Sequence, residues 1–361
     1  MLVSNLQNND SSSGSSERII IALDAMGGDK APHAVITGAE LIAKDKKKFP
    51  NIFLKIYGSK SKIEELIQDS PNLKDCSELI HCDQAIPADE KVSSSIRNYK
   101  DSSMFLAINS VKEKQSHAVV SAGNTVALMA ISTLSLRTLN QIHRPAIVTI
   151  LPSLKGKVTV LDLGANTLCN AENLYQFAIM GHAFAKIILK LPSPKIGLLN
   201  IGEEESKGID SIKLAKSMIQ HSPLSENFYG YIEGNDIGLG TVDVAVTDGF
   251  TGNALLKAIG GYGKVYKALI KQTITQNFIS KLKYKFLFQS EFKKMSDALD
   301  NRQYNGAMLI GVNGIVVKSH GYMDEVGIAN AIKVAYNLAK FDINKEITEE
   351  LETIQPTLED V

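Results

Sequence analysis

Three cysteines occur in 361 residues, Cys76, Cys82 and Cys169, and none forms a CxxC pair or stands near a histidine cluster. That scarcity excludes a disulfide framework and a structural zinc. The expectation is three reduced, mostly buried thiols, no metal, and a cytoplasmic setting. Net charge is lacking as well, because 39 Lys and Arg balance 39 Asp and Glu. Without a basic field nothing points to nucleic acid as partner. No apolar run approaches the roughly 18 residues of a spanning helix. GxxxxGK[ST] is missing, which excludes an ATP-cradling loop, and GxGxxG is missing, which argues against a dinucleotide cofactor. Neither GxSxG nor a credible Cys–His pair is present to supply an enzyme nucleophile. Residues 1–17 have no basic start and no apolar h-region, so they are not a secretory signal. Their Asn, Ser and Gln content reads as a disordered leader.

What the chain does contain is alternation. From Arg18 onward, short β-branched runs such as IFLKIYG, KVTVL and IVVK alternate with longer helical patterns. Such alternation predicts a mostly parallel, doubly wound α/β sheet. No low-complexity linker divides it, so residues 18–343 read as one α/β unit. The acidic residues 344–361 read as a surface helix fraying into a tail.

The stretch KIGLLNIGEEESKG (195–208) is a buried strand that ends in three carboxylates, a serine, a lysine and a glycine. Open α/β sheets place their ligands beyond such strand ends. Five more strands end in polar, glycine-bearing turns: DAMGGD (24–29), SAGNT (121–125), DLGAN (162–166), TDGFTGN (247–253) and KSHG (318–321). Turns of this kind align backbone N–H groups into anion-binding nests at helix N-termini. The expectation is that all six converge on one sheet edge as a phosphate or other oxyanion site.

These motifs, with RPAI and the following LP, occur in the order seen in bacterial phosphate acyltransferases of the PlsX type, which the chain resembles from about Ile19 to Tyr336. The resemblance implies a Rossmann-like three-layer α/β/α sandwich, similar to isopropylmalate dehydrogenase and phosphotransacetylase folds. It implies transfer of a fatty acyl group from acyl carrier protein to inorganic phosphate, for phospholipid synthesis. It further implies a homodimer, peripheral attachment to a membrane surface and no required cofactor. Three departures stand out. Val126 follows SAGNT where the family has glycine, and a β-branched residue resists positive φ. Gly260 and Gly261 replace a Glu-Gly pair, and Met308 replaces a proline. Two other readings are acyl transfer to coenzyme A on the same fold, or a decayed lipid-surface protein.

The chemistry sets the candidate residues. Substrate-binding candidates are Asp24, Gly27, Gly28, Asn124, Thr125, Asn166, Asn200, Gly202, Gly249 and Asn253. Lys207 and Lys318 are assigned to phosphate charge, His320 to a hydrogen bond or proton, and Asp248 to orienting His320 or a lysine. Glu203, Glu204 and Glu205 repel phosphate, so one of them is expected to pair with Lys207 or cap the next helix. Finally, residues 263–295 carry eight lysines against one glutamate with apolar residues at three-to-four spacing. They read as an amphipathic segment for anionic lipid or acyl carrier protein, or as a helix pair packed on the core or across a dimer.

Overall fold

A computed structural model describes residues 17–91, 96–274 and 300–354. Eleven strands form one sheet: β1 (Ile19–Asp24), β2 (Ile52–Gly58), β3 (Ser77–His81), β4 (Ala118–Ser121), β5 (Ala146–Ser153), β6 (Gly156–Leu161), β7 (Ile196–Leu199), β8 (Phe228–Ile232), β9 (Val244–Val246), β10 (Ala307–Ile310) and β11 (Ile315–Lys318). Their order is β3-β2-β1-β4-β11-β10-β5-β6-β9-β7-β8. Most are short and rich in Ile, Val and Leu, as strands covered on both faces must be, while the edge strands β3 and β8 are more polar or aromatic and partly exposed.

The ladders are parallel except at the centre. There β10 runs antiparallel to both β11 and β5, and β5 turns back on β6 as a hairpin. Three reversals therefore separate β11 from β6. The β1–β4 and β11 group runs in one sense, and β6 to β9 run in the other. This corrects the expectation of one shared edge: the six polar turns leave the sheet as two groups of three.

Helices cover both faces. One face packs under α1 (His33–Lys44), α2 (Lys60–Gln68), α5 (Ala171–Ile188), α6 (Asp210–Gln220), α9 (Glu325–Lys340) and α10 (Ile343–Ile354). The other packs under α3 (Ser103–Lys112), α4 (Thr125–Leu136), α7 (Gly234–Leu239) and α8 (Gly249–Ile274). The distribution creates two switch points. After β1 the chain turns to α1 on one face, while after β4 it turns to α4 on the other. After β7 it turns to α6, while after β9 it turns to α8 on the opposite face. At each boundary the diverging connections leave a crevice beyond the strand ends, the usual ligand position in doubly wound sheets.

Two further elements depart from the sequence pattern. Residues 343–354 are a docked helix, because Ile343, Ile347, Leu351 and Ile354 form a buried stripe. Each such side chain is worth about 1.5–3 kcal/mol on burial. Glu350 on the same helix pairs with His182 (2.8 Å) and Lys186 (3.0 Å) of α5. The basic segment 263–295 continues α8 as far as Ile274, and its remainder lies outside the described residues.

Candidate active site

The first crevice is built from three strand ends. Register pairs Asp24 of β1 with Ser121 of β4, and Ser121 with Lys318 of β11. Two residues earlier on each strand, Ala22, Val119 and Val316 belong to the core under α3 and α4. Since side chains alternate, Asp24, Ser121 and Lys318 all project to that same face. The Asp24 carboxylate is 2% exposed and accepts from Ser103 Oγ and Ser121 Oγ, both at 2.6 Å. Burial raises its pKa, against the pull of the Ser103 and Ser121 hydrogen bonds. Burial also lowers Lys318 to about 8, with Asp24 and Asp29 opposing the fall. The Lys318 Nζ donates to the Ser319 carbonyl.

Around this row the backbone is tight. A Cβ on Gly27 would lie 2.5 Å from Asp24 Oδ2 and 2.6 Å from the Gly123 nitrogen, and Gly28 sits at φ +101°. His320 stacks on Tyr322 with centroids 5.6 Å apart, and its backbone N–H donates to Asn305 Oδ1 at 3.1 Å. Desolvation and then the Lys318 charge lower the His320 pKa. Thus Asp24, Gly27, Gly28, Lys318 and His320 meet at one place, as their motifs imply. Thr125 opens α4 at its border. Asn124 has a different job: its Oδ1 caps α4 by accepting from Val126 and Ala127, and its Nδ2 donates to the Ala88 and Glu90 carbonyls. Val126 lies within α4, where a β-branched side chain meets no positive-φ demand.

The second crevice collects the other candidates, beyond the oppositely directed ends of β6, β7 and β9. Its organiser is Asp162, fully buried, a residue the sequence did not single out. Asp162 Oδ1 accepts from the backbone N–H groups of Ile147, Gly164 and Ala165, and Oδ2 from the Asn166 backbone and side chain. Asn166 is thereby committed to holding the loop, since its Nδ2 also donates to the Pro145 carbonyl at 2.7 Å. Gly249 and Gly252 let the start of α8 dock on this loop, because a Cβ at either would strike Asn166 or Asp162. Asn253 follows on α8 beside Gly164.

Asp248 caps α8 through Thr251, accepting its N–H at 2.9 Å and its hydroxyl at 2.7 Å. It belongs to the second crevice, so it does not orient His320. Lys207 likewise lies in the second group, exposed, and without an ion pair among the described residues. Glu205 pairs with Lys216, not with Lys207, and Lys216 also lies over the Tyr231 ring. Asn200 is buried against Gly208, its Nδ2 donating to the Lys207 carbonyl at 3.3 Å and its Oδ1 without a partner among the described residues. Gly202 is buried beside Glu204 and the Lys207 stem.

Burial holds Cys82 and Cys169 as neutral thiols, pushed up to about 12, and a thiol in that state is a poor nucleophile. Among the described residues no group of three or more His, Cys, Asp or Glu is placed to hold a metal ion, and no helix is long and apolar enough to cross a membrane.

Residues 19–346 match the family model described as "Fatty acid synthesis protein". The chain is 46% identical over 344 residues to a phosphate acyltransferase of Rhodospirillum centenum, covering 95% of this chain and 96% of that protein. It is 44% identical over 334 residues to one of Ehrlichia canis, covering 92% and 99%. Among solved structures, a phosphotransacetylase from Streptococcus pyogenes superposes with a TM-score of 0.59 at 16% identity, covering 90% of this chain and 94% of that one. A branched-chain phosphotransacylase from Enterococcus faecalis gives 0.55 at 14% identity, covering 90% and 99%. At those identities the likeness is one of fold.

Proposed function

The chain belongs to the phosphate acyltransferase family of fatty acid synthesis proteins, and from that premise we propose its full reaction: an acyl carrier protein thioester passes its acyl group to inorganic phosphate, giving an acyl phosphate and the free carrier thiol. The observation that supports this reading is the row of Asp24, Ser121 and Lys318 at a switch point beside Gly27 and Gly28. Lys318 balances the phosphate charge, and Asp24, pinned by two serine hydroxyls, sets the field around that lysine. A phosphate oxygen attacks the carbonyl carbon, and the tetrahedral oxyanion takes hydrogen bonds from the backbone amides of the glycine turn. Its collapse breaks the C–S bond. The thiolate, with a pKa of roughly 8.5 by analogy with cysteine, leaves with little need of a proton, and His320 donates one where needed. Phosphate is itself the nucleophile, so positioning carries the rate.

We assign the acyl phosphate product to phospholipid synthesis. The exposed apolar side chains Tyr262, Val265, Tyr266 and Leu269 on α8 support a homodimer contact, and the lysine-rich segment supports peripheral attachment to anionic lipid. The deciding experiment measures thiol release from an acyl carrier protein thioester with and without phosphate. Phosphate-dependent release is the expected outcome. Exchange that depends on coenzyme A instead supports the phosphotransacetylase-like alternative, and silence from folded protein overturns both.

A further inference from the structure

The β10–β11 ladder ends where Ala307 pairs with Lys318. Two positions further out on each strand stand Asn305 and His320, and there a side chain replaces the ladder. Asn305 is 2% exposed. Its Oδ1 accepts the His320 backbone N–H at 3.1 Å, and its Nδ2 donates to Ser319 Oγ at 2.8 Å and to the Gly327 carbonyl at 2.7 Å. Both amide hydrogens are thus in use. The far end of this clamp is itself fixed. Gly327 lies in the first turn of α9, whose cap Asp324 accepts the Gly327 N–H at 3.1 Å and pairs with Arg302 at 2.9 Å. The helix therefore has its own cap, and the ladder closes without Asn305. What the buried amide adds is the orientation of one peptide.

That peptide joins Ser319 to His320. Its N–H points to Asn305, and its carbonyl accepts from the Lys318 ammonium. The peptide is trans, so its two polar groups point opposite ways, and fixing the N–H aims the carbonyl. Turning it over would leave the buried Asn305 Oδ1 unpaired, which is costly, and would take the carbonyl away from the lysine. We propose that Asn305 is a positioning residue that holds the Ser319–His320 peptide and through it keeps the Lys318 ammonium in the first crevice. The assignment rests on the proposed acyl transfer at that lysine. Asn305 acts through the backbone and touches no reacting atom. The carbonyl it aims favours the charged form of Lys318. The other charged or titratable groups facing Lys318 are Asp24, Asp29 and His320, and Asn305 variants leave all three in place.

The test compares full-length protein with Asn305→Ala, Asn305→Asp and Asn330→Ala. The last removes hydrogen bonds from α9 to the Arg302 and Val326 carbonyls and touches no group of the turn. Thiol release from an acyl carrier protein thioester is measured against phosphate concentration and pH. Asn305→Ala should raise KM for phosphate about tenfold and move the alkaline limb to lower pH, because the ammonium loses its aimed carbonyl. Asn305→Asp keeps the acceptor for the His320 N–H and adds a negative charge, so its limb stays at or above the parent's pH. Asn330→Ala should leave KM and limb unchanged. A role in folding alone lowers kcat in Asn305→Ala with KM and limb unmoved, and that result overturns the proposal. If the alanine variant does not fold, a limb below the parent's in Asn305→Asp overturns it instead. Titration of Lys318 by carbon NMR on labelled lysine, its signal assigned by its loss in Lys318→Arg, needs no turnover. If no thioester is consumed yet Asn305→Ala lowers the Lys318 titration, the positioning role stands and the proposed reaction falls. An unmoved titration overturns the positioning role.

Discussion

Lys318 makes the proposed chemistry measurable through pH. Burial lowers its pKa to about 8, so its charge is lost as pH rises through that value. The charged fraction is about 0.9 at pH 7 and about 0.1 at pH 9, by simple titration around that value. If the ammonium balances phosphate, kcat/KM for phosphate falls roughly tenfold between those two values. The sign of the Asp24 effect follows too. Asp24 opposes the lowering of Lys318, so Asp24→Asn moves the alkaline limb to lower pH. Arginine stays protonated throughout, so Lys318→Arg removes the limb even where its different geometry reduces the rate. The assay is thiol release at subsaturating phosphate, from pH 6 to pH 10, for the parent and both variants. An alkaline limb that survives in Lys318→Arg, or that does not move in Asp24→Asn, refutes the role given to this lysine.

Glu350 is held down to about 2 by its hydrogen bond to His182 and then by Lys186. A depressed carboxylate stabilises the fold above its ordinary pKa near 4.5 and loses that contribution as pH falls toward 2. Glu350→Gln should cost about 3 kcal/mol near neutral pH, read by denaturant unfolding, with the difference from the parent closing in acid. Gly27→Ala drives a methyl into Asp24 and Gly123. It should lower kcat on the order of 100-fold while leaving the far-ultraviolet circular dichroism intact. Co-sedimentation with anionic vesicles at low salt tests the lipid role of residues 263–295. At ~1 kcal/mol per basic residue near the surface binding should be salt-sensitive, and no binding at low salt ends that role.

Much of the fold is legible in the chain because strand identity is a local property. IFLKIYG, KVTVL and IVVK carry β-branched runs and glycine stops that need no partner to be recognised. Strand direction is not local. The hairpin at Leu154 and Lys155, with Gly156 at φ +139°, reverses β6 against β5, and β10 inserts antiparallel between strands distant in sequence. Nothing in the periodicity of RPAIVTILP or GAMLIG encodes that sense, and so one expected anion site divides into two crevices. The same limit applies to individual residues. Asn124 and Asn166 are visible as polar turn residues, but only the fold shows that a helix start and a buried carboxylate consume their hydrogen bonds. Ser103 carries no local signal, because its partner Asp24 lies 79 positions away. The stripe at 343, 347, 351 and 354 has helical spacing in plain view, but the acidic residues between obscured it.

The insertion of β10 and β11 also governs how the molecule is made. Ser121 and Lys318 are neighbours in the sheet although about 200 residues apart in the chain. Most of the second half, β6 to β9, lies between them in sequence and can pair as soon as it leaves the ribosome. The first half also pairs early, β1 with β2 and β4 and β2 with β3, but its outer edge stays open. Until β11 arrives, β4 is an open edge with unpaired N–H and C=O groups, and Asp24 is a carboxylate without its cation. Long-range closure of this kind is slow and exposes edges to aggregation. A growing chain therefore completes the row of Asp24, Ser121 and Lys318 only when its last sixth emerges, and no shortened product ending before Lys318 contains it.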